Sequence, residues 1–218
     1  MLQLRTELER FRADFMASAP PEIRAALARA DLDLAASDLV GRALKAGDAA
    51  PDFALPEAHG GTVRLAALLT EGPAVVSFYR GGWCPYCSLE LRALQQALPE
   101  IRRRGGTLAA LSPETRGQSF ATVARNGLTF PVLSDPGAAT AAAFGLVFDL
   151  ANELRPIFTH FGHALPDRNG DDSWRLPIPA TYVVDRQGTI ALAFLDVDYS
   201  RRLEPAEIIA AVAALAAG

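Results

Sequence analysis

The segment from residue 74 to residue 103 constrains the fold most, because it predicts a strand, a glycine loop and a helix in direct succession. Residues 74–79 read Ala-Val-Val-Ser-Phe-Tyr, a short apolar run typical of a strand buried on both faces of a partly parallel sheet. Gly81 and Gly82 end this strand. The helix expected over residues 85–103 carries an apolar face formed by Leu91, Leu94, Leu98 and Ile101. This succession favours an α/β domain.

The rest of the main domain predicts alternating strands and helices, followed by a hairpin. We expect strands over residues 53–55, 62–65, 108–111 and 129–133, helices over 113–125, 137–144 and 204–217, and a hairpin that joins strands 181–184 and 190–195. Ser112 is a candidate N-cap for the helix that starts at residue 113. Residues 148–178 are less regular, with a helix expected around 152–161. This order predicts a mixed central sheet with helices on both faces.

The N-terminal residues predict helices that precede the main domain. Apolar residues recur at helical spacing in the first helix, at Leu4, Leu8, Phe11 and Phe15. Pro20 and Pro21 end that helix and can begin a second, whose apolar face continues to about Leu39, with Gly41 as the expected stop. We therefore divide the chain into a helical extension, residues 1–44, and a main domain, residues 45–218. The extension is expected to pack on the main domain or on a second subunit of a homodimer.

Charge and hydropathy exclude several classes of function. The 218 residues carry a formal net charge of −4, so the chain has no overall attraction for nucleic-acid phosphates or anionic membranes. No stretch approaches the roughly 20 apolar residues that span a bilayer, and Met1 to Arg12 lacks the apolar core of a secretory signal. The sequence therefore predicts a cytoplasmic protein without nucleic-acid or membrane partners, in a compartment that keeps thiols reduced.

Cys84 and Cys87 are the only cysteines of the chain, and their spacing indicates redox chemistry. A cytoplasmic protein seldom keeps so close a pair as a structural disulfide. Structural zinc sites usually take four ligands, often from two cysteine pairs, whereas this chain has no second pair and its three histidines are distant in sequence. Redox chemistry is therefore favoured over metal binding and over two inert cysteines that pack as small apolar side chains.

The predicted position of the pair also suits redox chemistry. Free backbone N–H groups and the positive end of the dipole at a helix start stabilise a thiolate, and Arg80 would add positive charge. A three-residue offset brings Cys84 and Cys87 to one helix face, so a disulfide could close with little backbone movement. Pro85 suits the first helical position and stiffens the loop. We therefore predict both cysteines as catalytic residues.

Residues 78–87, Phe-Tyr-Arg-Gly-Gly-Trp-Cys-Pro-Tyr-Cys, resemble the active-site loop of thioredoxins. They resemble more closely the peroxiredoxins of the alkyl hydroperoxide reductase / thiol-specific antioxidant family. Residues 47–55 and 63–65 are similar to the way redoxin domains begin, and 179–185 with Gly188 to the late strand and turn of the family. The resemblance implies a thioredoxin-like fold over residues 47–217, a hydroperoxide or disulfide substrate, and a thioredoxin- or glutathione-type reductant. It implies no metal and no organic cofactor.

The two analogies assign the attacking sulfur oppositely. Family peroxidases carry Pro-x-x-x-Thr-x-x-Cys after an aromatic strand, and alignment on that pattern places Arg80 at the proline, Cys84 at the threonine and Cys87 at the peroxide-attacking cysteine. Alignment on thioredoxin makes Cys84 the attacking thiol and Cys87 its partner. The buried aspartate of thioredoxins is replaced here by Ser77. The sequence leaves the choice between the two cysteines open.

A third departure concerns the late strand. Family peroxidases carry an arginine there that polarises the peroxide, and the matching residue of this chain is Pro179. This proline resembles the cis-proline that binds substrate backbone in thioredoxin-like proteins, so the Ile178–Pro179 bond is predicted to be cis. Trp83 and Tyr86, which flank the cysteines, are predicted to form an apolar rim for substrate, with Arg80 and Pro179 as further substrate contacts.

The sequence thus supports a thiol–disulfide oxidoreductase, with peroxiredoxin-like reduction of hydroperoxides as the leading hypothesis. One alternative is a protein disulfide reductase without significant peroxidase activity, which the replaced threonine and arginine favour. Another is a redox-sensing binding protein whose disulfide alters a partner surface. A zinc-binding module is the remaining alternative.

Overall fold

A five-stranded mixed sheet forms the centre of the protein in the computed structural model, which describes residues 3–216. The strands are β1 (Ala54–Pro56), β2 (Thr62–Arg64), β3 (Ala74–Phe78), β4 (Thr107–Ser112), β5 (Val132–Ser134), β6 (Val147–Asp149), β7 (Arg175–Pro177), β8 (Ala180–Val184) and β9 (Ile190–Leu195). The sheet order is β5-β4-β3-β8-β9. Strands β3, β4 and β5 are parallel, and β8 and β9 are antiparallel to their neighbours. The predicted mixed sheet and the hairpin are confirmed.

Helices cover both faces of this sheet. They are α1 (Leu4–Ser18), α2 (Pro21–Ala36), α3 (Leu39–Arg42), α4 (Leu65–Glu71), α5 (Pro85–Arg103), α6 (Arg116–Asn126), α7 (Ala139–Ala143), α8 (Arg155–His160), α9 (Leu165–Asn169) and α10 (Pro205–Ala216). One core joins α1, α5 and α10 to the sheet, and the other joins α4 and α7 to the opposite face. Among the described residues, no helix is both long and apolar enough to cross a bilayer.

Strand β3 connects the two cores and leads to the cysteine pair. Val75 packs on the face covered by α5 and α10, whereas Val76 and Phe78 pack on the face covered by α4 and α7. Every residue of β3 is buried, as expected of a central strand that is covered on both sides. Because β3 ends just before the glycine loop and α5, the pair lies at the carboxyl end of a central strand, where sites of α/β proteins commonly form.

The first helix packs on the rest of the described chain. Leu4 and Leu8 are buried in the core that contains α5. The backbone N–H of Arg5 donates to Glu204 Oε1 at 2.7 Å, and Arg12 Nη1 donates to Asp198 Oδ2 at 2.5 Å. These contacts hold α1 against α5 and the segment before α10. The division of the chain at residue 44 stays a prediction.

Several predicted helix boundaries are wrong. The second helix ends at Ala36 rather than near Leu39, and the separate short helix α3 follows it. Ser112 is not an N-cap, because it is the last residue of β4 and pairs with Ser134 of β5, so that α6 begins only at Arg116. Helix α4 was not predicted, since its first leucine reads as the end of the preceding strand. Within residues 148–178 the structure adds the antiparallel pair β6–β7.

Candidate active site

Cys84 and Cys87 lie at the start of α5, as the sequence predicts. Cys84 is the residue just before the helix, and Cys87 lies in its first turn. Both thiols are free, and their three-residue offset places them next to each other, where the Cys87 side chain is the largest influence on the pKa of Cys84. Cys84 is 2% exposed and Cys87 0% exposed. The two sulfurs are therefore within reach of each other in a site that is almost closed to bulk solvent.

The glycine loop before the pair is held by hydrogen bonds on both sides of Gly82. The Gly82 N–H donates to Glu114 Oε2 at 2.7 Å, and Arg125 Nη1 donates to the Gly82 carbonyl at 2.9 Å. A side chain does not fit at Gly82, because a Cβ atom there would lie 1.9 Å from Thr122 Oγ1. Helix α6 and the residue Glu114 thus fix the loop, and the loop in turn fixes the start of α5.

A mostly apolar cavity of about 210 Å³ lies beside Cys84. Cys84 lines this cavity, whereas Cys87 does not. The other lining side chains come from α1, α2, the cysteine loop, the region of α8 and the segment before α10, and they include Phe11, Phe15, Ile23, Leu27, Trp83, Tyr86, Phe158, Phe161 and Tyr199. Tyr86 packs edge-on against Phe11 of α1, with ring centroids 5.1 Å apart. Access to the Cys84 sulfur is therefore through a cavity whose wall includes the N-terminal helices.

Arg80 provides the positive charge of this cavity. Its guanidinium carbon lies 4.7 Å from the ring centre of Tyr199, 5.0 Å from that of Trp83 and 5.7 Å from that of Phe158, so that three aromatic rings hold it. Arg80 is 6% exposed, and its Nε atom has no hydrogen-bond partner within residues 3–216. A buried guanidinium held in this way acts on the neighbouring sulfur mainly through its charge.

The pKa values of the two thiols are shifted in opposite directions. A hydrogen bond from Cys87 is the main cause that lowers the pKa of Cys84 to about 6; burial opposes it, and the charges of Arg80 and Arg202 assist it. The pKa of Cys87 is raised instead, first by burial and then by the hydrogen bond to Cys84 and its charge. Near neutral pH, Cys84 is thus the thiolate and Cys87 the thiol that stabilises it.

This difference predicts the pH dependence of alkylation. We expect iodoacetamide to modify Cys84 at a rate that is half-maximal near pH 6 and falls below that pH, because protonation removes the nucleophilic thiolate. Substitution of Arg80 by methionine should move the midpoint to higher pH, since a neutral side chain no longer stabilises the thiolate. Arg116→Met is the control, because Arg116 is bonded to the Ala58 carbonyl instead. An unchanged midpoint in Arg80→Met would contradict this role of Arg80.

A buried ion pair contacts the second cysteine. Arg202 Nη2 donates to Cys87 Sγ at 3.4 Å, and Arg202 Nε donates to Glu90 Oε2. The side chains of Arg202 and Glu90 are 1% and 2% exposed. Burial raises the pKa of Glu90 to about 7, while the charge of Arg202 opposes that shift. Cys87 therefore lies beside a guanidinium that also neutralises a buried carboxylate.

Glu90 and Arg202 are residues of the site that were not predicted from the sequence. Glu90 could have been found, because it lies one helical turn after Cys87 on the same face of α5, and a carboxylate among the apolar residues of that face is unusual. Arg202 gave no signal, since it lies 115 positions after Cys87 in the sequence and only the packing of the segment before α10 brings the two together.

The structure places three of the four predicted substrate contacts around Cys84. Arg80, Trp83 and Tyr86 line its cavity, whereas Pro179 lines a neighbouring cavity of about 450 Å³ that shares Arg80. The predicted cis bond before Pro179 is wrong, because no peptide bond within residues 3–216 is cis. Pro179 instead lies just before β8, where a strand tolerates a residue without an N–H. Over the whole described range, residues 3–216, no group of three or more His, Cys, Asp or Glu side chains could hold a metal ion.

Comparisons with known proteins identify one family model and relatives of two kinds. Residues 46–193 match the family model described as AhpC/TSA. The chain is 34% identical over 117 residues to a protein of Mycobacterium tuberculosis that carries the name of a peroxiredoxin, covering 52% of this chain and 74% of that protein. It is 31% identical over 105 residues to the thiol-disulfide oxidoreductase ResA of Halalkalibacterium halodurans, covering 47% of this chain and 57% of ResA.

The solved structures agree on the fold. The peroxidoxin BcpB of Mycobacterium tuberculosis is similar with a TM-score of 0.62 at 22% identity, covering 79% of this chain and 98% of that protein. A thioredoxin-like fold is thereby confirmed for the part of the chain that carries the cysteine pair.

Proposed function

The chain belongs to the AhpC/TSA family of thiol-dependent oxidoreductases, and we propose that it reduces hydroperoxides with Cys84 as the attacking sulfur and Cys87 as its disulfide partner. The observation that carries this proposal is the position of Cys84 on a cavity of about 210 Å³ while the residue is only 2% exposed. A small hydroperoxide can enter such a cavity. A disulfide within a folded protein must bring its own backbone to the attacking sulfur, and a sulfur this deeply buried does not meet it without rearrangement.

The proposed cycle uses both cysteines. The Cys84 thiolate attacks the terminal oxygen of the hydroperoxide, so that an S–O bond forms, the O–O bond breaks and the leaving alkoxide takes a proton to become an alcohol. Cys84 is thereby oxidised to a sulfenic acid. The Cys87 sulfur then attacks the Cys84 sulfur, and the hydroxyl group leaves as water. A thioredoxin- or glutathione-type thiol reduces the resulting disulfide by exchange.

The remaining predicted site residues receive roles in this cycle. The guanidinium of Arg80 stabilises the thiolate before attack and the developing charge on the leaving oxygen during it. Trp83 and Tyr86 form apolar walls that favour an organic hydroperoxide. Pro179 contacts only a ligand large enough to extend from the Cys84 cavity into the neighbouring one that Arg80 also lines. We further propose that the chain works in the reducing cytoplasm with residues 1–44 as an extension that helps to form the cavity wall.

Protein disulfide reduction is the second candidate. Arg80 and Cys84 occupy the positions where family peroxidases have proline and threonine, and the similarity to ResA points the same way. In this alternative, Cys84 attacks a disulfide of the partner and Cys87 resolves the mixed disulfide. It requires the cavity wall of N-terminal helices to move, because the partner must reach Cys84.

A single-turnover experiment separates these candidates. Reduced enzyme is mixed with cumene hydroperoxide, with hydrogen peroxide or with insulin. The loss of the enzyme's own thiols is then followed in time. We expect the organic hydroperoxide to react at least about a hundredfold faster than a free thiol of equal pKa, because the Arg80 guanidinium stabilises the leaving oxygen. Insulin should react slowly. A peroxide rate equal to that of the free thiol, with rapid reduction of insulin, would instead establish the disulfide reductase.

A further inference from the structure

A second cavity, of about 450 Å³, lies beside the one that Cys84 lines. Its walls come from α2 and α3, the segment from β6 to α8, the residues before β8 and the segment before α10. Four residues line both cavities, and they are Leu27, Arg80, Phe158 and Tyr199. A ligand held in the second cavity can therefore extend towards the Cys84 sulfur.

Arg80 presents an uncompensated charge to both cavities. The residue is 6% exposed, and its Nε atom has no hydrogen-bond partner within residues 3–216. The ion pairs formed by these residues do not include Arg80. A guanidinium that is removed from water without an anionic partner is costly, so this arginine favours an anionic group on a ligand.

Asp31 of α2 presents the opposite charge to the second cavity. It lines this cavity and is partly buried, and it too belongs to none of the ion pairs among the described residues. Burial raises the pKa of Asp31, and the charge of Asp198 adds to this shift. The charges of Arg80 and Arg12 oppose it. The Asp31 carboxylate therefore interacts with the charge of Arg80 across the cavity without forming an ion pair with it.

The other charged residues of this cavity do not replace these two. They are Asp33, Arg42 and Asp149, and all three are exposed, so solvent and salt screen their charges. A ligand inside the second cavity therefore meets mainly the charges of Asp31 and Arg80.

A ligand that carries both charges satisfies this arrangement best. A simple carboxylate would compensate Arg80 but would be repelled by Asp31, and a simple amine would be attracted to Asp31 but repelled by Arg80. The zwitterionic group of an α-amino acid carries a carboxylate and an ammonium group on one carbon atom. Its carboxylate matches the planar guanidinium of Arg80, and its ammonium group matches the Asp31 carboxylate.

The proposed cycle uses two ligands in turn, and the second cavity suits the reductant. The cavity beside Cys84 is mostly apolar, which favours an organic hydroperoxide, whereas the polar groups lie in the second cavity. A protein thiol must bring its own backbone to a residue that is only 2% exposed. A small thiol can instead enter the adjoining cavities and bring its sulfur to Cys84.

We propose that the second cavity binds the zwitterionic amino-acid group of a low-molecular-weight thiol, with Arg80 on its carboxylate and Asp31 on its ammonium group, and that this thiol reduces the Cys84–Cys87 disulfide. The inference rests on the proposed cycle for the origin of that disulfide. The thiolate of the ligand attacks the Cys84 sulfur, so that a mixed disulfide forms, the Cys84–Cys87 bond breaks and Cys87 leaves as a thiolate that takes up a proton. A second molecule then attacks the sulfur of the first, the reductant leaves as its own disulfide, and Cys84 is released as a thiolate.

Reduction of the disulfide can be measured without any peroxide. Diamide oxidises the purified protein, gel filtration removes the excess, and acid quenching with intact-mass spectrometry follows the return of the two thiols. Because this assay contains no hydroperoxide, a protein that fails as a peroxidase still reports whether the second cavity selects the reductant.

Four small thiols separate the contributions of the two charges. Cysteine and glutathione carry the amino-acid group at a short and at a long distance from the sulfur, mercaptopropionate carries a carboxylate without an ammonium group, and cysteamine carries an ammonium group without a carboxylate. Each rate is divided by the rate of the same thiol with hydroxyethyl disulfide, which corrects for differences in intrinsic reactivity.

The unmodified protein provides a test that does not depend on the folding of a variant. At neutral pH, the faster of cysteine and glutathione should exceed both mercaptopropionate and cysteamine by at least about tenfold in this corrected rate, because only the zwitterion compensates both charges of the cavity. Equal corrected rates for the four thiols would overturn the proposal, whether or not thioredoxin reduces the protein.

Asp31→Asn is expected to lower the corrected rate of the preferred thiol by roughly tenfold, without lowering that of mercaptopropionate, which has no ammonium group. Glu22→Gln is the matched control, because Glu22 lies on the same helix, is exposed and lines neither cavity, while its substitution removes the same formal charge. An Asp31→Asn variant with the thiol preference of the Glu22→Gln variant would contradict the role of Asp31.

A final comparison separates the reductant from an oxidant of the same chemistry, since an amino-acid group can also be part of a hydroperoxide. Reduced protein is mixed with leucine hydroperoxide or with cumene hydroperoxide in a single turnover. If Asp31→Asn slowed the reaction with leucine hydroperoxide and left every thiol rate unchanged, the second cavity would bind the oxidant, and the proposal would be overturned.

Discussion

Substitution of Cys84 by serine is expected to abolish turnover, lowering kcat/KM for an organic hydroperoxide by at least roughly a thousandfold. The reason is that a serine hydroxyl stays protonated at neutral pH, whereas the hydrogen bond from Cys87 holds the pKa of Cys84 at about 6. Cys87 does not replace it as nucleophile, because burial raises the pKa of its thiol and it does not line the cavity. Peroxide consumption with a recycling reductant measures this loss.

Cys87→Ser is the matched variant, since it removes the other sulfur of the same helical turn. It should consume about one equivalent of hydroperoxide per chain and then stop, because a sulfenic acid forms at Cys84 and has no partner. A dimedone adduct on Cys84, located by peptide mass mapping, would identify that intermediate. If Cys84→Ser retained the single turnover and Cys87→Ser lost it, the attacking sulfur would be Cys87, as alignment on the family peroxidases suggests.

Substitution of Arg202 by methionine is expected to destabilise the protein by about 3–5 kcal/mol, the cost of leaving one partner of a buried ion pair uncompensated. Arg202 and Glu90 are 1% and 2% exposed in their side chains, so solvent does not replace the missing guanidinium. Loss of the donor to Cys87 adds to the effect. The free energy of unfolding from urea denaturation under reducing conditions measures it.

The neighbouring Arg201 supplies the control for this prediction. Its side chain is 67% exposed and pairs with Asp196 at 2.9 Å, and exposed pairs contribute only about 0–1 kcal/mol. Arg201→Met should therefore change the free energy of unfolding by less than about 1 kcal/mol. The double variant Glu90→Leu with Arg202→Met should recover most of the loss, because it removes both buried charges. A loss in Arg202→Met no larger than in Arg201→Met would contradict the importance of the buried pair.

The central part of the fold could be predicted because its signals are local. Strand β3 is a continuous apolar run, α5 shows an apolar face with helical spacing, and the hairpin of β8 and β9 is marked by its turn residues. Elements that depend on distant partners were missed. Strands β6 and β7 contain three residues each and pair with each other across 25 intervening residues, so neither has a pattern of its own.

The same distinction applies to the candidate site. One stretch of eight residues, 80–87, contains Arg80, Trp83, Cys84, Tyr86 and Cys87. The helix start that gives the cysteines their chemistry is visible in that stretch. The wall of the cavity and the Arg202 contact depend on packing between segments far apart in sequence. The prediction for Pro179 was wrong for a different reason. A resemblance to thioredoxin-like proteins predicted a cis bond before this proline, whereas the bond is trans.

The Cys84–Cys87 disulfide cycle is tested most directly by peptide mass mapping of the reduced protein after it has reacted with one equivalent of cumene hydroperoxide, been quenched with acid and been alkylated. Cys84 and Cys87 are expected to become resistant to alkylation together, with a loss of two hydrogen atoms from the peptide that contains both, and a thiol reductant should restore them. Two alkylated cysteines with the peroxide unconsumed, or an irreversible sulfinic acid on one cysteine with the other still free, would contradict a Cys84–Cys87 disulfide cycle.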